Sequence, residues 1–227
     1  MKINEIIEKA RAQGRSLLYA DEATAILRSA GIPVNHSLPA TDEEAVLAAA
    51  AATGYPVALK VRSAVLAHKA DVGGVSLGLT DPEGLRRAYR SMLKKIRPLD
   101  PAAAVTVEPM AAPGAELFVG MTTDPQFGPV LAFGLGGTFL ELFNDTTFRM
   151  VPLTRADAAE MLKSIKGAKI LQGFRGQPAL DQEALTELLL NLSQLVEQNP
   201  TIKAIDLNPI LAYPKGALAV DARMVVE

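Results

Sequence analysis

The chain has 227 residues, of which 49% are hydrophobic and 21% charged, and its formal net charge at neutral pH is −2. This balance is typical of a globular protein and argues against a general nucleic-acid binder, which is normally basic. The absence of cysteine excludes disulfides and thiolate chemistry, and two histidines make a zinc site unexpected. The sequence shows neither a signal peptide nor a membrane span, so we expect a cytoplasmic protein.

The first half of the chain alternates helix and strand patterns. Thr41 and Glu44 form a capping-box pattern that predicts the start of an alanine-rich helix, which Gly54 is expected to end. Asp81 followed by Pro82 predicts the start of another helix. The predicted elements of this half are a helix over 41–54, strands over 57–61 and 75–79, and a helix over 81–96.

The second half is richer in strands. Thr154 and Asp181 are placed to cap two helices. The predicted elements are strands over 105–110, 115–123 and 129–135, helices over 154–165 and 181–198, and strands over 202–213 and 217–226. Several strands are joined by connections that are too short for a helical crossover, so antiparallel pairing must be common. We therefore expect mixed α+β lobes and not a doubly wound parallel sheet.

A lobe boundary is expected near 100–105, because Pro98 and Pro101 interrupt both the helix and the strand periodicity there. The predicted lobes are 20–104 and 105–227, and the N-terminal helix 1–19 is expected to join the second. No internal repeat or low-complexity segment is apparent.

The segment HKADVGG, residues 68–74, places His68 beside Lys69, Asp71 and a pair of glycines. A neutral imidazole is nucleophilic near physiological pH, and glycines let a loop backbone bend close to a phosphate. The segment can equally be a solvated loop between two strands, in which His68 hydrogen-bonds across the loop. The residues alone leave both interpretations open.

The segment FGLGGT, residues 133–138, follows an apolar strand. Closely spaced glycines let backbone amides approach an anion, as phosphate-binding loops require. Phe139 stands where the third glycine of a dinucleotide fingerprint would fall, and no GxxxxGK motif occurs in the chain. Taken alone, the segment is either a phosphate-binding loop or a tight turn.

The segment IDLNP, residues 205–209, carries two polar side chains on a predicted strand. Strand alternation places Asp206 and Asn208 on the same face, and Asp221 lies at an equivalent depth on the following predicted strand. Three oxygen ligands from neighbouring strands suit a hard cation such as Mg²⁺. The alternative is that Asn208 and Pro209 begin a turn and that Asp221 is a surface residue.

These segments occur together and in the order found in a known family. The chain resembles the ATP-grasp module of ADP-forming acyl-CoA synthetases, which are related to the β subunit of succinyl-CoA synthetase. The resemblance runs from AGIPV through GYPVALKV, HKADVGGVSLGL, GMTTDPQFGPVLAFGLGG and IDLNPIL to VDAR, and so covers nearly the whole chain. It implies an α/β (α+β) fold of the ATP-grasp type, with two mixed lobes and a nucleotide cleft between them.

The resemblance also implies roles for individual residues. Lys60 would contact the nucleotide phosphates, and Glu116 would hold the ribose hydroxyls. Gly136 and Gly137 would shape the loop where a phosphohistidine meets the nucleotide, and His68 would be a second phosphorylatable histidine. The hinge whose backbone meets the adenine would be Glu108, Pro109 and Met110. The magnesium-binding positions would be Asp206, Asn208 and Asp221.

Members of this family convert acyl-CoA, ADP and phosphate into free acid, CoA and ATP through acyl-phosphate and phosphohistidine intermediates. The chain shows no CoA-binding Rossmann segment and no second domain with the other catalytic histidine. We therefore expect ATP or ADP and Mg²⁺ as its ligands and a CoA-binding α-type subunit as its partner, for instance in an α2β2 heteromer. No acyl-CoA turnover is expected without that subunit, and neither a nucleic acid nor a membrane is expected as a partner.

An alternative of another class is a regulatory or scaffolding ATP-grasp module of a fused protein acetyltransferase, which binds a ligand without transferring phosphate. The presence of His68, Lys60 and the magnesium-binding positions favours the enzyme, although a binding module could retain most of them. The start at Met1 and the end after VDARMVVE favour a separate subunit, although an excised domain would look the same.

Overall fold

The structure is a computed structural model that describes residues 3–66, 69–137 and 145–227. The helices in these ranges are α1 (Ile3–Ala12), α2 (Ala20–Ser29), α3 (Glu43–Thr53), α4 (Pro82–Ile96), α5 (Arg155–Ser164), α6 (Ala168–Leu171) and α7 (Gln182–Gln198). The strands are β1 (Leu38–Ala40), β2 (Val57–Arg62), β3 (Val75–Leu79), β4 (Ala104–Pro109), β5 (Ala115–Asp124), β6 (Gly128–Leu135), β7 (Thr146–Met150), β8 (Ile202–Ala212), β9 (Ala217–Ala219) and β10 (Arg223–Val226). None of the helices in the described ranges is long and apolar enough to cross a membrane.

The strands form two sheets. The smaller sheet has the order β1-β4-β2-β3, and the larger has the order β10-β8-β5-β6-β7 with β9 also paired to β8. Every paired strand runs antiparallel to its neighbours in both sheets. The expectation of mixed α+β structure with antiparallel pairing is therefore confirmed, and a doubly wound parallel sheet is excluded for the described residues.

The chain folds into two compact units. One contains the residues up to Ser16, Ala25–Val34 and Pro113–Glu227, and the other contains Leu17–Thr24 and Asn35–Ala112. The larger sheet belongs to the first unit and the smaller sheet, including β4, to the second. The lobe limits 20–104 and 105–227 stay a prediction from the sequence.

The smaller sheet packs against α3 and α4. Strand β2 is buried along nearly its whole length, which explains its continuous apolar run with few polar interruptions. Leu59 of β2 and Val107 of β4 are fully buried with Leu85 and Ile96 of α4 in one apolar cluster. Burial of each such side chain contributes roughly 1.5–3 kcal/mol to stability.

The helix predicted from Thr41 begins one residue later than the capping-box pattern indicates. Asp42 is the N-cap of α3, and its Oδ1 accepts a hydrogen bond from the Ala45 amide at 2.8 Å. The Thr41 hydroxyl donates instead to Asp42 Oδ2 at 3.4 Å. The carboxylate of Asp42 accepts a charge-assisted bond, which is stronger than a hydroxyl cap. Gly54 ends α3 as predicted, and the other predicted caps are confirmed at Asp81, Thr154 and Asp181.

The two faces of the larger sheet differ. Helices α5 and α7 pack on one face, where Leu117, Val119, Leu131 and Phe133 are fully buried. The alternate side chains of the same strands line the opposite face, where Phe148 of β7 is 60% exposed. The sheet is therefore half covered within its own unit, which is typical of antiparallel sheets.

The C-terminal strand predicted over 217–226 is interrupted. It forms β9 and β10, and Val220–Ala222 lie between them outside regular strand structure. The pairing of β5 with β8 also shifts register between Leu117 and Val119, opposite the position of Pro209. Proline has no amide hydrogen to donate, so the ladder cannot continue unchanged at that point. The prediction of one continuous C-terminal strand is wrong for this reason of local geometry.

Candidate functional site

Lys60 is the one charged residue in the run Val57–Val61, and the structure pairs it with Glu108. The Lys60 Nζ lies 2.8 Å from the Glu108 Oε2, and the two side chains are 8% and 4% exposed. Lys60 and Glu108 lie diagonally across the β2–β4 ladder, because Ala58 is the direct partner of Glu108. Burial of a charge is tolerated when a counter-charge lies this close. The pair therefore keeps a cation within the otherwise apolar run Val57–Val61.

The predicted hinge has backbone groups that already take part in hydrogen bonds. The Met110 amide donates to the Pro56 carbonyl at 3.3 Å, and the Asn35 side-chain amide donates to the Pro109 carbonyl at 2.9 Å. A carbonyl oxygen has a second lone pair, so the Pro109 carbonyl can still accept a further bond. The role of Glu108, Pro109 and Met110 toward adenine stays a prediction.

Glu116 meets the glycine-rich loop directly. The Gly136 amide donates to the Glu116 carbonyl at 2.8 Å. Gly137 has a φ of +59°, and a Cβ at that position would overlap with the Glu116 Oε2. Only glycine fits here without strain, because the backbone is left-handed and the carboxylate occupies the side-chain space. Glu116 and the glycine-rich loop are therefore in direct contact, and their role toward a nucleotide stays a prediction.

Two of the predicted magnesium-binding residues lie on β8, and the third, Asp221, lies in the segment between β9 and β10. Asp206 and Asn208 alternate on β8 with the buried Ile205 and Leu207, so both are half-buried on the same face. The Val220 amide donates to the Pro209 carbonyl at 3.1 Å, and Arg223 is the cross-strand partner of Asp206. These two anchor points place the backbone of Asp221 alongside Asn208.

The donor chemistry of this set fits a hard cation. Carboxylate and amide oxygens are the ligands that Mg²⁺ prefers, and it commonly keeps several waters while using one or two carboxylates. Among the described residues, no group of three or more His, Cys, Asp or Glu could hold a metal. The predicted set contains only two carboxylates, and its third member is an amide. Such a set would share the ion with a phosphate ligand.

Asp181 fixes the connection between β8 and β9. Its carboxylate accepts hydrogen bonds from the Ala184 amide at 3.0 Å and from the Gly216 amide at 2.8 Å. These bonds, that from Ala184 first, lower the pKa of Asp181 below its ordinary value. The same side chain therefore caps α7 and holds the turn that leads to Asp221.

His68 lies outside the described residues, so its proposed role rests on the sequence resemblance. The loop that follows it returns tightly to β2. The Gly74 amide donates to the Lys69 carbonyl at 2.7 Å, and the Val61 amide donates to the Gly74 carbonyl at 2.7 Å. A Cβ at Gly74 would lie 2.5 Å from Val61 Cγ1, so a larger residue would push the loop away from β2. Gly74 therefore has a packing role beside the strand of Lys60.

A cavity of about 480 Å³ opens on the half-covered face of the larger sheet. Its floor is made of small residues on three adjacent strands, which are Gly120, Ala132 and Ala204. Aromatic rings from Phe118 and Phe148 form part of its wall. Asp206 and Arg223 supply its charged groups.

Two charged groups of the structure are not predicted from the sequence. The sequence assigns a role only to the backbone of Glu108, and it includes Arg223 only as part of the VDAR pattern. One signal for the Glu108 side chain is available in the sequence. Lys60 and Glu108 carry opposite charges, and each is the one charged residue in its predicted strand, so the two could pair across the sheet. For Arg223 no local pattern distinguishes a half-buried arginine from an exposed one.

Comparison with known proteins gives this arrangement a family. The model of the ATP-grasp domain family matches residues 9–226. The β subunit of the ADP-forming acetate–CoA ligase I of Pyrococcus furiosus is 42% identical over 228 residues, which cover 99% of this chain and 98% of that subunit. The chain belongs to the ATP-grasp family. Within it, the chain is a relative of the β subunits of ADP-forming acetate–CoA ligases and matches them along nearly their whole length.

Solved structures give the same result. An acetyl-coenzyme A synthetase 1 of Ca. Korarchaeum cryptofilum, in complex with coenzyme A, Ca-AMPCP and HgCl+, superposes with a TM-score of 0.95 at 41% identity and full coverage of both chains. A second structure of that enzyme contains coenzyme A and Mg-AMPPCP, with its phosphohistidine segment pointing towards the nucleotide binding site. It superposes with a TM-score of 0.87 at 40% identity, again over both full chains. The ATP-grasp fold predicted from the sequence is confirmed.

Proposed function

We propose that this chain is the nucleotide-binding β-type subunit of an ADP-forming acyl-CoA synthetase, which transfers a phosphoryl group between ADP or ATP and a site on a partner subunit. The observation that carries the proposal is the match along 98% of a β subunit whose enzyme is an ADP-forming ligase. The alternative, a regulatory or scaffolding module of a fused protein acetyltransferase, is not favoured. The chain matches nearly the whole of a ligase β subunit, and this match gives no specific support to a regulatory or scaffolding module.

Lys60 is proposed to contact the nucleotide phosphates. Its buried pairing with Glu108, at 2.8 Å, supports this role because it holds the ammonium group in place on β2. A cation held in this way can stabilise negative charge on phosphate oxygens without first being ordered.

Glu116 is proposed to accept hydrogen bonds from the ribose hydroxyls, beside the loop of Gly136 and Gly137. The carboxylate accepts only, and two hydroxyls are suitable donors to it. The glycine at 137 keeps the carboxylate close to the loop backbone, because any side chain there would displace it. This arrangement supports a ligand that meets both groups.

Asp206, Asn208 and Asp221 are proposed to hold Mg²⁺ together with the phosphates of the nucleotide. The bound ion would offset negative charge on the phosphates during phosphoryl transfer. The Val220–Pro209 hydrogen bond supports this grouping, because it brings the backbone next to Asp221 close to the end of the Asp206–Asn208 segment.

His68 is proposed to carry the phosphoryl group between the partner's intermediate and the nucleotide. In the direction of ATP synthesis, the P–N bond of phosphohistidine breaks as a β-phosphate oxygen of ADP forms the new P–O bond. The bonding electron pair stays on the ring nitrogen, so the imidazole leaves as the neutral ring with its proton on the other nitrogen, and ADP becomes ATP.

The partner is proposed to be a CoA-binding α-type subunit, which would hold the acyl group, CoA and the acyl-phosphate. The similar P. furiosus chain is named as a β subunit, so its enzyme contains at least one further kind of subunit. An α2β2 assembly is one form proposed for this heteromer. The complex would act on acyl-CoA, phosphate and ADP.

Calorimetry with Mg·ADP tests the proposal on the complete chain. Wild type is expected to bind, whereas Asp206→Asn and Asp221→Asn are expected to bind Mg·ADP at least about tenfold more weakly, since each loses a charged ligand to the ion. The matched control is Asp124→Asn, because Asp124 lies on the same sheet but accepts hydrogen bonds from the amides of Gln126 and Phe127 in a hairpin turn. Absence of Mg·ADP binding to wild type at millimolar nucleotide contradicts the proposal.

A further inference from the structure

The cavity on the half-covered face of the larger sheet contains a cation that the roles above do not use. Arg223 of β10 is the cross-strand partner of Asp206 of β8, and both side chains line the cavity. The Nε atom of Arg223 is buried and has no hydrogen-bond partner within residues 3–66, 69–137 and 145–227. A guanidinium nitrogen has therefore been removed from water without a replacement acceptor in the described protein.

Such an arrangement is costly unless a ligand supplies the acceptor. A buried donor without a partner destabilises the folded protein, and it does so more strongly when the group is charged. The walls formed by Phe118, Val130 and Phe148 are apolar, so charges inside the cavity are screened less than in water. An anion that enters the cavity would therefore be bound more strongly by Arg223 than by an arginine on an open surface.

The floor of the cavity leaves room for such a ligand. Gly120 and Ala132 are direct cross-strand partners, and Ala204 lies opposite Thr122 on the other side of β5. Larger residues at these positions would fill the space above the sheet. With about 480 Å³, the cavity can hold a phosphoryl group together with part of the group that carries it.

We propose that Arg223 binds the non-bridging oxygens of the phosphoryl group while that group passes between the nucleotide and the partner. This inference rests on the proposed function and adds a substrate-binding residue to it. The planar guanidinium can donate two parallel hydrogen bonds to two oxygens of one phosphoryl group. Arg223 transfers no proton and forms no covalent bond; it holds the oxygens that stay on phosphorus when the P–N bond breaks and the P–O bond forms.

The position opposite Asp206 is consistent with this role. Asp206 is proposed above as a metal ligand, and its side chain lines the same cavity. A phosphoryl group in the cavity would then lie beside a metal ligand on β8 and a guanidinium on β10. Cations on two sides stabilise the charge that is spread over the equatorial oxygens during transfer.

The experiment measures binding of inorganic phosphate to the complete chain by calorimetry, both with and without saturating Mg·ADP. Wild type is expected to bind orthophosphate, and Arg223→Gln is expected to bind it at least about tenfold more weakly, because a charged hydrogen-bond donor is lost. Arg223→Lys keeps the charge but loses the planar guanidinium with its paired donors. Its affinity for phosphate should therefore lie between those of wild type and Arg223→Gln. Acetate, an anion without tetrahedral oxygens, should bind more weakly than phosphate to wild type.

Two further variants separate a binding role from a structural one. Arg149→Gln is the matched control, since Arg149 lies on β7 of the same sheet, is paired with Glu160 at 3.4 Å and should not affect phosphate affinity. Ala132→Leu fills the cavity and leaves Arg223 in place, so it should weaken phosphate binding as well. Thermal unfolding of every variant establishes that it is folded, and Arg223→Lys decides the matter if Arg223→Gln does not fold.

Equal phosphate affinity in wild type and Arg223→Gln overturns the inference, and so does a wild type that binds no orthophosphate. Failure of the proposed function has a different signature, namely a wild type that does not bind Mg·ADP. Because the phosphate titration is also carried out without nucleotide, the role of Arg223 is decided in either case.

Discussion

Two cations on the sheets of this protein are buried in different ways. Lys60 on β2 is paired at 2.8 Å with Glu108, which is itself almost completely buried. Arg223 on β10 is half-buried, and its Nε has no acceptor among the residues that the structure describes. Both residues are proposed to meet phosphate groups, yet Lys60 forms a close ion pair within its sheet, whereas Arg223 lines an open cavity opposite Asp206.

The difference indicates what each cation contributes before any ligand binds. A paired buried charge supports the fold, because removal of its partner leaves an uncompensated charge in an apolar environment. A buried donor atom that lacks an acceptor, such as the Arg223 Nε, weakens the fold slightly and would gain its hydrogen bond from a ligand. Removal of the Glu108 charge should therefore lower the free energy of unfolding, whereas removal of the Arg223 charge should leave it unchanged or raise it.

The largest effect is expected for Glu108→Gln. This change removes the carboxylate charge that lies 2.8 Å from the buried Lys60 ammonium group, so the free energy of unfolding should fall by about 3–5 kcal/mol. Urea unfolding followed by circular dichroism measures it. The double variant Glu108→Leu with Lys60→Met removes both charges and should recover most of that loss. A loss below about 1 kcal/mol for Glu108→Gln would show that the pair is exposed to solvent and only weakly coupled.

An intermediate effect is expected for Arg62→Lys at the end of the same strand. The Arg62 guanidinium donates to both oxygens of Asp21, at 2.6 and 3.1 Å, and lies 3.6 Å from the centre of the Tyr19 ring. Lysine keeps the charge but loses the bidentate geometry and the planar stacking, which should cost roughly 1 kcal/mol.

The same unfolding measurement tests this prediction, with Arg62→Lys in the background of Asp21→Asn as the double-mutant control. If Arg62→Lys lowers the free energy of unfolding by the same amount in that background as in wild type, the loss does not come from the pairing with Asp21.

The sequence predicts most of the backbone because its local signals agree with one another. The cap at Asp81, the cap at Thr154 and the apolar run of β2 each combine residue type with spacing, and all are confirmed. The capping-box pattern places the start of α3 one residue early because Thr41 and Asp42 are both good caps, and their competition is decided by geometry. Short-range patterns settle which element forms, but not which of two adjacent polar residues caps it.

The candidate site is predictable only in part. The resemblance assigns Glu116 and the glycines at 136 and 137 to one site, and the structure supplies the contact between them. The break before Asp221 depends on Pro209 in the neighbouring strand, which no local pattern around Asp221 contains. The position of Arg223 beside a cavity depends on small residues of three other strands. This environment therefore follows from packing and not from sequence periodicity.

The smallest effect, and the only one of opposite sign, is expected for Arg223→Met. Methionine retains most of the aliphatic length and removes a charged group whose buried nitrogen has no acceptor in the described protein. In phosphate-free buffer the free energy of unfolding should therefore stay unchanged or rise by up to about 1 kcal/mol. Arg149→Met serves as the comparison, because it breaks an ion pair with Glu160 and should not raise stability.

Addition of orthophosphate should reverse the order of wild type and Arg223→Met. A ligand that binds only the folded state stabilises it by RT ln(1 + [L]/Kd), which is about 1.4 kcal/mol at a concentration ten times Kd. Wild type should gain this amount and the variant should gain little, so the two unfolding curves should exchange places as phosphate is added. Parallel stabilisation of both proteins would mean that phosphate acts elsewhere on the surface. A variant that is less stable than wild type without phosphate would mean that Arg223 supports the fold in the same way as Lys60, and the contrast between the two cations would disappear.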